Sequence, residues 1–541
     1  MPSVSRRRFV KTAAASLTAG SMVDSASTLA ATSDRTFDFV VAGAGHNSLI
    51  TAAYLARAGF SVAVLEGRPT IGGGCKSGEI CLPGFVDDWC SSVHSILMSN
   101  PLIRNNELDL FGFGLEYVHP DPIMHMPHRD GASITMWKDV NRTYEDYAQH
   151  SRRDAETFLR LIDEVRDLRR RSADGEALPS IWRKRYAMSA YDVVRELYEN
   201  DYVRSYHLAT GKFTSEPGGD PETGRTAFTA IFHQLGGRPI PKGGSGMLTT
   251  ALGAAIESHG GTILTNKPVT RLVTENGKCR GVECADGDTF RARHGVVSTI
   301  HVKHLIEMAP KELWGDEFIA HIDLFQPEEA LFALHLATSA PVEFPLAKGG
   351  SITPAESTVL PYPERILRSS FDDATGTLNL EDMWLQIVSP SVADPGRTPD
   401  GFHTIKILGN VPYELKQGVK HWDTIRDEVS DQVLAYLREY APTFTDDKVL
   451  ARVFMSPRDL ERMNPAFWRG SIHAGEYGPS QMGDLRPAPG WSDYRMPIDG
   501  LYQTGACTKP GGSITGRPGR NAAAVILAEH GIRLDDIVHR T

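Results

Sequence analysis

Residues 36–77, TFDFVVAGAGHNSLITAAYLARAGFSVAVLEGRPTIGGGCKS, leave the chain little choice of architecture. Phe37, Phe39, Val40 and Val41 form the short apolar run of a strand buried on both faces. Gly43-Ala44-Gly45 ends that run. Ala52, Ala53, Leu55, Ala56 and Ala58 then predict a helix over 46–58 that stops at Gly59, a residue suited to the left-handed turn after a helix. Val62–Leu65 predicts a second buried strand, with Glu66 at its carboxyl end.

This unit has the chemistry of dinucleotide binding. Gly43 permits a tight turn, Gly45 lets backbone approach a pyrophosphate, and the helix N-terminus offers free N–H groups and a positive dipole end. Glu66 lies 23 residues beyond Gly43, the spacing of a carboxylate that binds a ribose hydroxyl. Ser48 stands where the third glycine of the pattern is expected, which costs helix–strand fit and not phosphate contact. The turn by itself fits NAD as well as FAD.

The 541 residues allow roughly three or four domain-sized units. A net charge of −10 argues against a nucleic-acid partner held by a basic surface. The six cysteines are irregularly spaced and suggest neither a disulfide framework nor a zinc site. Ser5-Arg6-Arg7-Arg8-Phe9-Val10-Lys11, followed by an Ala-rich segment and Thr28-Leu29-Ala30, reads as a twin-arginine signal with its cleavage site. Residues 1–30 are therefore expected to serve the twin-arginine export machinery, leaving a soluble periplasmic or secreted protein.

Helical patterns dominate 78–235, notably Tyr144–Arg171 and Tyr191–Tyr206. The arginines at 152, 153 and 166–171 alternate with acids and read as a solvated face. Strand–helix grammar returns with a helix at Met247–Ser258, strands at Thr262–Leu264, Val269–Thr274, Gly281–Cys284 and Val296–Ser298, and hairpin signals at Asn276-Gly277 and Asp286-Gly287. Strands at Ala330–His335, Met383–Val388 and Thr404–Leu408 with a helix at Trp422–Tyr440 suggest a second, sheet-bearing domain. The expected fold is α/β: a Rossmann-type dinucleotide domain from 35–85, 236–320 and 490–541, with a mixed α+β substrate domain from 86–235 and 321–489.

Three separated blocks carry a resemblance: VAGAGHNSLITAAYLARAGFSVAVLEGRPTIGGG, a second block from Pro241 to Thr299, and LRPAPGWSDYRMPIDGLYQTGACTKPGGSITGRPGRNAA. Together they resemble the FAD-dependent phytoene desaturase-like oxidoreductases, in a branch that includes the animal pyridine nucleotide-disulphide oxidoreductase domain-containing protein 2. The resemblance implies a glutathione reductase-like domain with FAD extended along it. It places Gly43, Gly45 and Ser48 at the phosphate turn and Glu66 at the adenosine ribose. Arg68, Gly72 and Gly73 fall beside the pyrophosphate and ribityl chain, and Val269 at the adenine. Gly505, Ala506, Gly511, Gly512, Ser513 and Ile514 fall along the pyrophosphate and flavin ring. A helix starting near Gly516 would aim its positive end at the flavin N1/C2=O edge.

Relatives usually read Thr-His-Pro-Gly-Gly where this chain has Thr508-Lys509-Pro510-Gly511-Gly512. Lys509 is thus a candidate catalytic group near the flavin, with Tyr494 and Arg495 as candidates facing substrate. His94, His125, His128 and His233 read as structural, and the His125/His128 and His301/His304 pairs lack the partners of a metal site, so no metal is expected. Cys75 and Cys507 read as packing residues.

No second complete G-x-G-x-x-G follows the first, so no NADPH domain is expected. The expected activity is hydride transfer from a largely apolar small molecule to flavin N5, as a dehydrogenase, oxidase or desaturase. Electrons would leave to O₂, a quinone or another periplasmic carrier. An amine oxidase-like flavoenzyme and an FAD-bound interaction protein are the competing expectations.

Overall fold

In the computed structural model, which describes residues 35–538, the opening strand runs Arg35–Ala42 and its last four positions are buried. The expected export segment lies outside the described residues. This strand pairs in parallel with Val62–Leu65 on one side and Thr289–Ser298 on the other, Val41 meeting Val64 and Val297. Thr262–Leu264 and Leu501–Gln503 extend the parallel core at either flank. Alternation along the strand divides its side chains. Phe39 and Val41 join the cluster containing helices His46–Arg57, Gly246–Ser258 and Arg517–Glu529, while Val40 and Leu65 pack with Trp314 and Phe318.

The strand expected at Val296–Ser298 begins seven residues earlier, at Thr289. Its first half carries the antiparallel hairpin Val269–Glu275/Lys278–Cys284, turned at Asn276 and Gly277 with φ of 52° and 76°. Both positive values match the two-residue turn that right-twisted strands favour.

A second seven-stranded sheet has the order 449–455, 331–338, 403–410, 385–388, 356–359, 124–127, 133–136. Its neighbours are antiparallel except for 356–359 against 124–127, where Ser357 faces His125 in parallel. The hairpin at 124–136 lies outside the expected strands: Met124–Pro127 is four residues long, ends in a proline and carries the polar His125 fully buried. Each long helix expected between 140 and 211 is broken once. Ser151 caps Arg152–Ala173 and Asn200 caps Asp201–Gly211, each side-chain oxygen accepting a backbone N–H of the first turn. Arg152, Arg160, Arg166, Arg170 and Arg171 pair with acids of the same helix and Arg153 with Glu199, as a solvated face requires. No helix among the described residues is long and apolar enough to cross a membrane.

Candidate functional site

A cavity of about 1400 Å³ starts at the Gly43–Gly45 turn and runs to the second sheet. Its nucleotide end is built by backbone. Gly43 has φ of 96°, and a Cβ there would come within 2.6 Å of Thr299 Cγ2. The Ala44 N–H donates to Glu66 Oε2 at 2.9 Å, and the Arg68 N–H donates to Glu66 Oε1 at 2.9 Å. Glu66 therefore holds the turn and the second strand's end together while lining the cavity. Gly72, with φ of 122°, donates to the Ala44 carbonyl at 2.8 Å, and the Arg68 guanidinium donates to the Arg462 carbonyl at 2.9 Å.

Gly43, Gly45, Glu66, Arg68, Gly73 and Val269 line the nucleotide end, and Gly505, Ala506, Gly512, Ser513 and Ile514 line the middle. Ser48 and Gly72 do not reach the cavity; both are buried behind the turn and brace it. Ser48 thus departs from a phosphate-facing position: its Oγ lies 2.7 Å from the Gly43 carbonyl and 2.9 Å from that of Gly45. Gly511 also stands back, its Cα hydrogen against the Tyr477 ring, where a Cβ would approach Cε1 to 2.8 Å. The left-handed Gly516 opens the helix Arg517–Glu529, and Thr515 and Arg517 at that helix start line the cavity.

The three catalytic candidates are corrected by their surroundings. Lys509 Nζ turns away from the cavity to Asp484 Oδ1 at 3.1 Å, a residue 90% exposed in its side chain, and Lys509 is absent from the cavity wall. Tyr494 Oη donates to the Lys509 carbonyl at 2.8 Å and accepts from Asn521 at 2.9 Å, so it buttresses the loop from outside. Arg495 pairs with Asp493 and Glu529 at the surface. The loop sequence shows that these residues adjoin the flavin motif, but not on which side of it they lie.

Sequence reasoning passed over other side chains that do face the cavity. Lys406, on the strand His403–Asn410, is buried and donates to Ser92 Oγ at 2.6 Å and to the Asp88 and Cys90 carbonyls. Arg238 pairs with Glu356 and donates to His233 Nε2 at 2.9 Å. Gln386 donates to Glu356 at 2.5 Å. Phe213, Val388, Leu408 and Ile472 give this half its apolar wall, and Glu216 lies in the same wall. His46, at the first helix start, is driven down to about 4 by burial, partly offset by a hydrogen bond to the Ser513 backbone, and is neutral.

Of the other histidines, His94 sits between Tyr117 Oη at 3.0 Å and Ser245 Oγ at 2.8 Å, and His125 meets Thr135 at 3.0 Å. His233 and His301 line the cavity instead. Among the described residues no group of three or more His, Cys, Asp or Glu side chains could hold a metal. Cys75 lies against Ser245, with its thiol pushed up to about 12 by burial, and Cys507 reaches the Ala474 carbonyl and the Val302 backbone.

A flavin dinucleotide fits these residues on three counts. The backbone at Gly43 and Gly505 is held where any Cβ would strike Thr299. The buried His46 Nε2, on the cavity wall, has no partner within the protein. The cavity exceeds the ~300–1,000 Å³ of an ordinary small-ligand pocket, leaving room for substrate beside a long cofactor.

Residues 49–527 match the family described as flavin containing amine oxidoreductase. The chain belongs to this family. It is an FAD-dependent oxidoreductase, and the resemblance read from the three sequence blocks holds at family level. This flavoenzyme is 28% identical to the mouse pyridine nucleotide-disulfide oxidoreductase domain-containing protein 2, over 91% of its own length and 94% of the relative's. It is 27% identical to a limonene dehydrogenase subunit from Castellaniella defragrans, over 92% and 95%. A variant of putrescine oxidase shares its fold with a TM-score of 0.60 at 15% identity, over 92% of this chain and 100% of that one.

Proposed function

We propose that this flavoenzyme dehydrogenates a largely apolar small molecule. The observation that carries the reading is the continuity of one cavity from the Gly43 turn to the wall formed by Phe213, Val388, Leu408 and Ile472. Bound at the nucleotide end, FAD supplies the two-electron acceptor. The chain's own contribution is orientation and dryness: these apolar side chains position the substrate's hydrocarbon body and exclude water from the reacting bond. Lys406 keeps the 88–92 segment against the cavity through its three hydrogen bonds. The similarity to a limonene dehydrogenase supports a hydrocarbon-bodied substrate.

The same proposal includes export through the twin-arginine machinery, on the strength of Ser5–Lys11, and reoxidation by O₂, a quinone or a periplasmic carrier. The test mixes the FAD-loaded enzyme anaerobically with limonene, perillyl alcohol or putrescine and follows flavin absorbance. Bleaching by limonene or perillyl alcohol is expected. Bleaching by putrescine alone would replace the reading with amine oxidation. Arg6→Lys together with Arg7→Lys is expected to retain the protein in the cytoplasmic fraction; unchanged fractionation would remove the export reading.

A further inference from the structure

We propose that Glu216 is the base of this reaction, taking up the proton that substrate loses as its hydride leaves. The inference rests on the dehydrogenase reading above and adds to it the group that completes the proton balance. Glu216 lines the cavity on the side of Phe213, in the loop that follows the helix Asp201–Gly211. Its backbone carbonyl accepts from Lys212 Nζ at 3.2 Å, while its carboxylate has no hydrogen bond or ion pair among the described residues. Among the described residues Glu222 and Glu307 on the cavity wall share this, whereas the other wall acid, Glu66, is held. Glu66 has both oxygens on backbone N–H groups, and the neighbouring Glu356 is held by Arg238 and Gln386.

Three other titratable side chains at the substrate end are poorly suited to accept a proton. Lys406 directs its three protons to Ser92, Asp88 and Cys90. His233 Nε2 already accepts from Arg238, so its only proton sits on Nδ1 and its lone pair is taken. Glu222 is exposed at the cavity's edge. Glu216 offers free carboxylate lone pairs beside Phe213, whereas the unpaired Glu307 lies at the nucleotide end, in the turn packed on the Val269–Glu275 strand.

The groups facing Glu216 come from two segments. Lys212 and Arg225 lie on its own side, and Glu476 and Tyr477 face it from the loop opposite. Tyr477 in turn stands against Gly511 of the C-terminal motif. Lys212 is committed to Glu329, so its charge is largely matched. Burial, the largest effect, pushes Glu216 up to about 7, with Arg225 and Lys212 opposing and Glu476 reinforcing. A base poised there exchanges its proton readily at neutral pH.

In this step one substrate C–H bond breaks, and FAD, when bound, would supply the two-electron acceptor for the hydride that leaves. The adjacent C–H or O–H bond breaks, its proton passing to a Glu216 carboxylate oxygen. The pair left behind forms the C=C or C=O bond, so substrate loses two electrons and the cofactor gains them.

The test compares wild type, Glu216→Gln and Glu216→Asp as FAD-loaded full chains, with the same three probes. In wild type the anaerobic flavin-reduction rate is expected to rise as pH passes about 7, where the carboxyl ionises. Glu216→Gln should keep its FAD content and absorbance spectrum, slow by ~10²–10⁴-fold and lose that pH dependence. Glu216→Asp should retain the pH dependence at an intermediate rate. A second readout is independent of turnover: in infrared difference spectra the protonated-carboxyl component that titrates at about 7 in wild type should vanish in Glu216→Gln, leaving the Asp373 component at about 6. Unchanged rate and pH profile in Glu216→Gln, or survival of the component at about 7, would overturn the proposal. If none of the probes bleaches wild type, the dehydrogenase reading fails by itself, and the infrared titration still decides whether Glu216 is the group that ionises there.

Discussion

Ser48 Oγ lies 2.7 Å from the Gly43 carbonyl and closes the phosphate turn from inside the protein. The hydroxyl replaces the bare packing surface of the usual third glycine with a hydrogen bond across the turn. Ser48→Ala leaves the Gly43 and Gly45 carbonyls without this donor in a buried place. The expected cost is about 1 kcal/mol, the typical net value of such a bond, with FAD held several-fold less tightly. Thermal melting of FAD-free protein and equilibrium FAD titration check both parts.

Gly43 tolerates no side chain. Its φ of 96° is strained for any L residue, and its Cβ would meet Thr299 Cγ2 at 2.6 Å. Gly43→Ala is expected to yield folded, colourless protein that does not take up FAD. Adding Thr299→Ser removes the methyl and the clash but not the backbone strain, so the double variant should recover only part of the FAD affinity. Full recovery would show that strain at Gly43 is unimportant.

Much of the nucleotide end was legible because turns and buried parallel strands leave local marks. Val62–Leu65 and Thr262–Leu264 have the predicted bounds, and the glycines of the turn are dictated by backbone approach alone. The second sheet was less legible. The strand Glu356–Val359 is buried throughout yet polar at three of four positions, because Glu356 is neutralised by Arg238, 118 residues away in sequence. Side-chain direction was the other blind spot. Lys509 adjoins the flavin motif in sequence, and only the fold of the 505–513 loop sends its ammonium to Asp484. Glu216 sits in Glu216-Pro217-Gly218-Gly219, a string that announces a loop and conceals a cavity-facing acid.

Lys509→Ala follows directly from that geometry. A surface pair with an exposed partner contributes ~0–1 kcal/mol, so melting should change little. The flavin spectrum and the anaerobic reduction rate should match wild type. A slowed reductive half-reaction would return Lys509 to the mechanism.

Asp88 and Arg397 form an ion pair at 2.8 Å with neither side chain exposed, and it controls how the site responds to acid. Asp88 Oδ1 also accepts from Ser77 Oγ at 2.6 Å and from the Ser245 N–H at 2.7 Å, tying the 75–77 and 243–246 segments together behind the cavity. Burial alone would raise this carboxyl, but the Arg397 and Lys406 charges and the hydrogen bonds outweigh it and bring it down to about 2. A folded value below the ordinary 3.8 means that the stabilisation is complete above pH 3.8 and is lost as pH falls through about 2. Asp88→Asn removes the charge and leaves Arg397 with Asp394 as its remaining acidic partner, at 3.0 Å. Breaking one side of a buried pair costs ~3–5 kcal/mol, and the surviving Asp394 contact places this case at the lower end. Urea midpoints of the two proteins should therefore differ clearly at neutral pH and converge as pH approaches 2. A gap that persists unchanged into acid would mean that packing, and not the Asp88 charge, holds these segments together.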